Sequence, residues 1–355
     1  MVYKVMNLGS KEVQIATLGE EITFHKSCSG CIGYQKDKGW QVRSFYDTEK
    51  YDFEWHVSDF LESKGAKHNV EMFSLWYLMI QEQIENEGDT LDISIVVVPH
   101  HIGYRTRRII QKRLQNKKLC FICPSTAAAY RYAWNKQQEH VQYLMSIDSS
   151  GNGLEVSVCQ YGNSIVEVLA EYSFHEESEQ AMKSRLQKVL EDHSCMNFRN
   201  SVCLYLAHTD SVYDARVFSD ILKKELIVLD ASQIVMEGAL LYTNHVLGNV
   251  GNTVISPLLL NVTHENIGYI CSCEGKEVLI SENTTIPTRR SKEIKIPDGC
   301  KEYEIKVTAG PSENPEENDC IKTFNRVCER DKSKATLDII IEVNGTISMK
   351  LEEES

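Results

Sequence analysis

One stretch of this 355-residue chain combines a strand end with a polar loop in a way that suits phosphate binding. In "SIDSSGNGLEVSV" (146–158), Asp148 ends an apolar strand and is followed by Gly151, Asn152 and Gly153. Glycines let backbone N–H groups approach an anion closely, and a strand-end carboxylate can hold Mg²⁺. The pattern equally suits a simpler interpretation, in which Asp148 is a polar residue that caps a strand.

An earlier stretch repeats this plan without the acid. "YKVMNLGSKEVQIATL" (3–18) and "YLMSIDSSGNGLEVSV" (143–158) both read as strand, polar turn, strand. Such an echo predicts a duplicated fold with a ligand held between its halves.

The composition narrows the classes of partner. The formal net charge of −13 argues against nucleic acid or an anionic membrane as the main partner. No run of eighteen apolar residues occurs and the chain starts in a strand-like pattern, so we expect neither a membrane span nor a signal peptide. We therefore expect a cytoplasmic protein whose twelve cysteines stay reduced.

Two Cys-x-x-Cys pairs, Cys28/Cys31 and Cys120/Cys123, have the residue types for metal binding or disulfide exchange. The separation between the pairs is far longer than in the usual zinc sites. The second pair also falls in the apolar strand "KLCFIC" (118–123), where we expect its side chains to point to opposite faces. We interpret these cysteines as small buried side chains and predict no metal site.

The pattern of elements changes along the chain. Strands alternate with helical patterns up to about residue 248, and afterwards only strands and turns occur. "IEVNGTISMKL" (341–351) carries Asn-Gly between two alternating runs, which predicts a hairpin. We predict two α/β lobes at 1–142 and 143–249, a linker at 250–257 and an all-β sandwich at 258–355.

Six stretches resemble the seventy-kilodalton heat-shock chaperones and occur in that family's order: "IVVVPHHIGYRTRR", "PSTAAAYRYAW", "SIDSSGNGLEVSV", "ASQIVMEGALLYTNHVLG", "SPLLLNVTHENIGYI" and "VLISENTTIPTRRS". The last keeps the family's N-T-T-I-P-T whole, as Asn283 to Thr288. The resemblance covers nearly the whole chain. It implies an actin-like, two-lobed nucleotide-binding domain and then a β-sandwich that closes on peptide when ATP is hydrolysed. Where the family has a whole subdomain, this chain has a single helix at 176–193. We therefore expect most of that subdomain to be missing.

The resemblance implies an eroded site for ATP or ADP with Mg²⁺. The family's D-L-G-T-T begins at Asn7, the glutamate of E-P-T-A-A-A falls on Pro124, and a later acid falls on Ser232. Its G-G-S-x-R adenosine turn falls on 207–211, where both glycines and the arginine are lost, and its catalytic lysine has no convincing counterpart. The resemblance makes these the candidate residues: catalytic Asp148 and the degenerate Asn7; nucleotide-binding Gly9, Ser10, Lys11, Gly151, Asn152, Gly153, His208 and Gly238. We expect weak nucleotide binding and impaired or absent hydrolysis.

Coupling between the domains also has candidates. Pro99 and Arg107 match a proline and an arginine that in the family relay between nucleotide and linker. Arg107 suits a solvated basic helix face equally well. The family's linker leucines correspond to Leu258, Leu259 and Leu260, whose simpler interpretation is the core of the first β-domain strand.

The resemblance also places a peptide cleft. An ungapped count from Gly268 puts its residues at Tyr269, Cys271, Ser272, Tyr303 and Ile305. The family uses small apolar residues there to take an extended chain by strand-like hydrogen bonding. The two tyrosines therefore either alter the specificity of a groove or fill it. We expect no helical lid after the sandwich, and therefore weak trapping with fast exchange.

These features lead to one expectation and one alternative. We expect a divergent chaperone relative that binds unfolded or extended polypeptide, with weak ATP binding and poor hydrolysis. The alternative is a non-catalytic scaffold that docks on other chaperones. An actin-like filament protein is disfavoured, because a β-sandwich follows the two lobes.

Overall fold

The chain forms two compact units, Met1–Ile102 with Arg108–Leu260, and Gly103–Arg107 with Asn261–Ser355. The computed structural model describes the following residues: 3–8, 12–18, 22–24, 28–29, 31–35, 39–42, 53–62, 67–86, 93–116, 119–134, 136, 140–149, 153–175, 178–193, 201–208, 211, 213–246, 257–297, 300–327 and 334–354.

Among its described residues, the first half of the first unit opens with seven strands, and helices and strands follow them. Its elements are β1 (Tyr3–Asn7), β2 (Glu12–Leu18), β3 (Ile22–Phe24), β4 (Cys28–Ser29), β5 (Cys31–Gln35), β6 (Gly39–Val42), β7 (Phe53–His56), α1 (Val57–Glu62), α2 (Lys67–Asn86), β8 (Ile93–Val97), α3 (Tyr104–Arg113), β9 (Cys120–Ile122) and α4 (Pro124–Trp134). The first residues of α3 are grouped with the second unit.

The second half opens on a long antiparallel meander. Its elements are β10 (Gln142–Asp148), β11 (Gly153–Gly162), β12 (Ile165–His175), α5 (Glu179–Asp192), β13 (Val202–Ala207), α6 (Ala215–Leu222), β14 (Ile227–Asp230), α7 (Ala231–Val246) and β15 (Leu258–Leu260). Among the described residues, α5 is the one helix between β12 and β13.

The two halves of this unit share one strand order. One sheet runs β3-β2-β1-β8-β9, and the other runs β12-β11-β10-β13-β14 with β15 added beside β12. In each, three antiparallel strands are followed by two parallel ones. The two hairpins that echo each other in sequence, β1–β2 and β10–β11, occupy the same central places. The duplicated plan predicted from the sequence is therefore present in the strand order.

Apolar periodicity explains how these elements pack. The β-branched run of β8 is buried at every position, as expected for a central parallel strand. On α2, Phe73, Trp76 and Ile80 lie on one face and are fully buried, while Leu78 on the opposite face is exposed. Phe73 stacks on Phe60 of α1 at a centroid distance of 4.3 Å. No helix in the described part of the chain is long and apolar enough to cross a membrane.

The second unit is a β-sandwich. Its strands are β16 (Asn266–Cys271), β17 (Gly275–Ile280), β18 (Thr288–Lys295), β19 (Glu302–Gly310), β20 (Asp319–Val327), β21 (Lys334–Ile341) and β22 (Ile347–Glu354). A four-stranded sheet, β17-β16-β19-β20, and a three-stranded sheet, β18-β21-β22, bury one shared apolar core. The predicted Asn-Gly hairpin is confirmed, since Gly345 sits at φ +77° between β21 and β22.

Candidate functional site

Three parallel strands of the second sheet end side by side and place polar residues at one edge. β13 lies between β10 and β14, with Asp148 opposite Leu206 and Ala207 opposite Asp230. His208 follows β13 directly. Because the carboxyl ends of parallel strands meet at one edge, Asp148, His208 and Asp230 fall in adjacent positions. We call this group the Asp-His-Asp edge.

The central contact of this edge is a buried ion-pair geometry. The His208 Nε2 lies 2.8 Å from the Asp148 Oδ1, and the Asp148 side chain is only 1% exposed. The backbone N–H of His208 donates to the Ser211 Oγ at 3.0 Å, which holds the turn that carries the imidazole. The main acid predicted from the sequence is thus engaged by a histidine from the neighbouring strand.

Asp230 is the exposed end of the group. Its pKa is lowered, chiefly by a hydrogen bond from the Ser232 hydroxyl, with smaller effects of backbone N–H groups and of His208. The Ser232 Oγ donates to its Oδ1 at 2.7 Å and the Gln233 N–H at 3.2 Å, which satisfies free donors at the start of α7. The resemblance to the heat-shock chaperones placed one of the family's lost acids at Ser232. The structure has a carboxylate two residues earlier, at Asp230.

A second hydrogen-bond chain fixes the backbone beside Asp148. The Ser149 Oγ lies 2.9 Å from the Tyr205 Oη, and the Tyr205 hydroxyl donates to the Tyr213 carbonyl. An imidazole held beside a buried carboxylate is oriented to accept or deliver a proton. A Mg²⁺ ion bound at the Asp148 Oδ1 would have to displace His208 from that oxygen.

The other predicted nucleotide residues lie in several places. Asn7 is buried at the end of β1, Gly153 begins β11, and Gly238 lies in α7 against α4. A Cβ at Gly238 would stand 1.9 Å from the Ala127 carbonyl oxygen, so this glycine serves close helix packing. Outside the described residues lie Gly9, Ser10, Lys11, Gly151 and Asn152.

The coupling candidates occupy defined positions. Arg107 is buried, so its interpretation as part of a solvated helix face is wrong, whereas Arg105 and Arg108 are exposed. Burial raises the pKa of the Glu265 carboxyl, while the Tyr104 N–H, which it accepts at 2.7 Å, and Arg107 oppose this rise. Pro99 is half-buried just after β8.

The predicted linker leucines form an edge strand of the first unit. Leu258, Leu259 and Leu260 make up β15, which runs parallel to β12 with Leu258 opposite Ile165. Leu259 is buried and Leu258 is 37% exposed. The Pro257 carbonyl just before them accepts a hydrogen bond from the Tyr130 hydroxyl at 2.7 Å. Their simpler interpretation, the core of the first sandwich strand, is therefore wrong.

Four of the five predicted cleft side chains are in the sandwich core. Tyr269, Cys271, Tyr303 and Ile305 are each at most 4% exposed, and only Ser272 lies at the surface. The Tyr303 hydroxyl also donates to Glu353 at 2.8 Å. In this arrangement these side chains pack between the two sheets.

Sequence reasoning missed two buried acids of the second sheet, Glu155 and Glu171. Each is a single acid inside an apolar run, "GLEVSV" and "VLAEYS", and this was the available signal, because a buried carboxylate needs partners. The His100 N–H donates to the Glu155 Oε1 at 2.6 Å, and the other Glu155 oxygen has no hydrogen-bond partner among the described residues. Glu171 contacts Thr126 and lies among residues that could ligate a metal.

No protein-family model matches the chain, and no curated protein is significantly similar to it. The resemblance to the heat-shock chaperones thus stays a prediction that depends on the motifs and their order.

Proposed function

We propose that the chain is a divergent relative of the seventy-kilodalton heat-shock chaperones that binds unfolded or extended polypeptide, binds ATP weakly and hydrolyses it poorly or not at all. The observation that carries the proposal is the duplicated strand order followed by a β-sandwich. Two sheets of three antiparallel and two parallel strands suit an actin-like body, and the resemblance expects a peptide-binding sandwich after it. The eight cysteines with described side chains are free thiols, which supports a reducing, cytoplasmic setting.

The Asp148–His208 contact supports the loss of hydrolysis. Phosphoryl transfer needs carboxylates and water around Mg²⁺, and here the retained acid is paired at 2.8 Å while Asn7 carries no charge. Losing one transition-state electrostatic group typically lowers the rate by about 10²–10³. Several such losses together leave turnover near background.

The nucleotide part of the proposal is tested by calorimetric titration of the full chain with Mg-ATP, together with single-turnover hydrolysis. We expect weak binding and no turnover above the uncatalysed rate. His208→Ala frees Asp148, so it should strengthen Mg²⁺-dependent binding, whereas Asp148→Asn should abolish that dependence. Micromolar affinity with clear turnover in the native chain would contradict the proposal.

The polypeptide part is tested separately. A labelled, permanently unfolded polypeptide is titrated with the full chain, and its fluorescence anisotropy is measured with and without ATP. We expect saturable binding with fast exchange, and no binding of the same polypeptide in its folded form. Equal or absent binding of the two forms would remove the chaperone activity from the proposal.

The burial of four predicted cleft residues favours a second candidate function. A sandwich whose tyrosines fill its groove suits a non-catalytic scaffold that docks on other chaperones. Affinity capture followed by nucleotide washes separates the two. Stable chaperone partners that ATP does not release, with no binding of unfolded polypeptide, would support the scaffold.

A further inference from the structure

Three potential metal ligands meet inside the first unit, although they are far apart in sequence. β8 and β9 are parallel neighbours with Val97 opposite Ile122, so their carboxyl ends lie together. His100 lies three residues beyond β8, and Cys123 immediately follows β9. Glu171 comes from β12 of the other sheet. We call these three residues the His-Cys-Glu cluster.

The separations within this cluster are those of ligands around one small cation. The His100 Nδ1 lies 3.1 Å from the Glu171 Oε2, the Cys123 Sγ lies 3.6 Å from the same oxygen, and the Sγ and Nδ1 are 3.9 Å apart. For a tetrahedral zinc ion, the usual bond lengths place neighbouring ligand atoms about 3.3–3.6 Å apart. The three side chains therefore need only small shifts to share one ion.

We propose that the His-Cys-Glu cluster binds Zn²⁺. The cluster combines a soft sulfur, an imidazole nitrogen and a carboxylate oxygen, which is the mixed donor set that zinc accepts. All three residues are buried, so an ion bound between them would be shielded from water. Zinc binding converts the Cys123 thiol to a thiolate and releases that proton to solvent, so that two anionic ligands neutralise the dication.

Neighbouring hydroxyl groups orient the ligands. The Thr126 hydroxyl donates to the Glu171 Oε1, which leaves the Oε2 towards His100 and Cys123. The Ser157 Oγ lies 2.8 Å from the Thr126 Oγ1 and extends this support. Partners of this kind fix the geometry of metal ligands and tune their affinity.

Zinc at this position would have a structural consequence. Two ligands follow strands of one large sheet of the first unit and the third lies in the other large sheet, so the ion would join these two sheets. This role is independent of polypeptide or nucleotide binding. It also differs from a Cys-x-x-Cys site, because Cys120 takes no part and burial raises its thiol pKa to about 12.

The test uses the full chain, stripped of metal with a chelator under reducing conditions, and titrated with Co²⁺. We expect one equivalent to produce a thiolate charge-transfer band that Zn²⁺ then removes. Cys123→Ser should lose the band. Cys120→Ser is the matched control, since this cysteine is equally buried and begins β9, the strand that Cys123 follows. It should keep the band, as should a Cys28→Ser, Cys31→Ser double variant.

A variant outside the ligand set distinguishes weaker zinc binding from loss of folding. Thr126→Val keeps all three ligands, and we expect it to weaken Zn²⁺ binding by about 10–100-fold with an unchanged far-ultraviolet circular dichroism spectrum. His100→Gln should abolish the Co²⁺ band. Absence of stoichiometric Co²⁺ binding by the native chain, or an unchanged band in Cys123→Ser, would overturn the proposal and leave a hydrogen-bonded network without metal.

Discussion

The two large sheets of the first unit can be compared at the edges where their parallel strands end. In one sheet, the residues that follow parallel strands are His100 and Cys123. In the other, the parallel strands end in Asp148, His208 and Asp230. The strand order is the same, so the backbone brings polar residues together at both edges in the same way. The chemistry differs because the residues at and beyond the strand ends differ.

Burial separates the two edges further. His100 and Cys123 are enclosed, and a glutamate from the facing sheet completes their surroundings. The Asp-His-Asp edge instead runs from the fully buried Asp148 to the exposed Asp230. The enclosed His-Cys-Glu cluster suits an ion that stays bound. The Asp-His-Asp edge reaches the surface, so it suits a partner or proton that exchanges with solvent.

The largest loss of stability is expected where α4 and α7, the helices that follow the two edges, pack against each other. α4 begins after Cys123 and α7 after Asp230, and they pack at Gly238 and Ala127. Gly238→Ala puts a methyl group 1.9 Å from a helix backbone carbonyl that cannot rotate away. We expect a loss of more than about 3 kcal/mol in the free energy of unfolding, measured with urea.

The matched control for this substitution is Ser232→Ala, at an exposed position of the same helix. It should cost less than about 1 kcal/mol, because it removes only the hydroxyl that donates to Asp230. Equal stability of Gly238→Ala and the native chain would mean that the two helices can separate, and that the edges are not held by one packed body.

The second-largest loss of stability is expected at the Asp-His-Asp edge. His208→Ala leaves the buried Asp148 carboxylate without its imidazole partner. We expect a loss of about 2 kcal/mol at neutral pH, since an unsatisfied buried charge keeps its desolvation cost. A double-mutant cycle with Asp148→Asn measures the coupling, because the double variant should regain most of the loss. Additive losses would show that the pair contributes no interaction of its own.

A smaller loss of stability is expected at the hydroxyl groups that support the His-Cys-Glu cluster. The Ser157 Oγ lies within 2.6 Å of the Ser125 Oγ and 2.8 Å of the Thr126 Oγ1. Ser157→Ala removes a shared buried partner and should cost about 1–2 kcal/mol. Ser58→Ala, at an exposed position, is the control. If both substitutions cost the same, the hydroxyl chain does not stabilise this edge.

The sequence predicts the strand plan better than the contacts between sheets. Two hairpins of one pattern were sufficient to expect a duplicated body, and the Asn-Gly turn was sufficient to expect the last hairpin. Both features depend on local backbone preferences. The meeting of Cys123 with Glu171 depends instead on how two sheets face each other, which no periodicity within one strand encodes.

The candidate sites show the same limit. Asp148 could be predicted because a strand-end acid before glycines is a local pattern, but its partner His208 was identified only as a substituted turn residue. For the sandwich, the alternation of Tyr269 and Cys271 is the same whether their face lines a groove or the core. The register could therefore be counted from the sequence, but the burial of those side chains could not.

The smallest loss of stability is expected at Asp230, the exposed end of the Asp-His-Asp edge. Asp230→Asn keeps a helix-capping side chain and removes only a charge, so at about pH 7 we expect a loss of a few tenths of a kcal/mol. The pKa of Asp230 is lowered in the folded chain, so the stability it contributes is present above the unfolded pKa of about 3.9 and is lost as the pH falls through the folded value. The native chain should therefore lose more stability than Asp230→Asn between about pH 5 and pH 3, as measured by urea unfolding at each pH. The difference should shrink in a His208→Ala background, because the imidazolium is one of the groups that stabilise the Asp230 carboxylate. Parallel pH profiles of the native chain and Asp230→Asn would mean that the Asp230 charge contributes no stability, and that the interactions of the Asp-His-Asp edge end at His208.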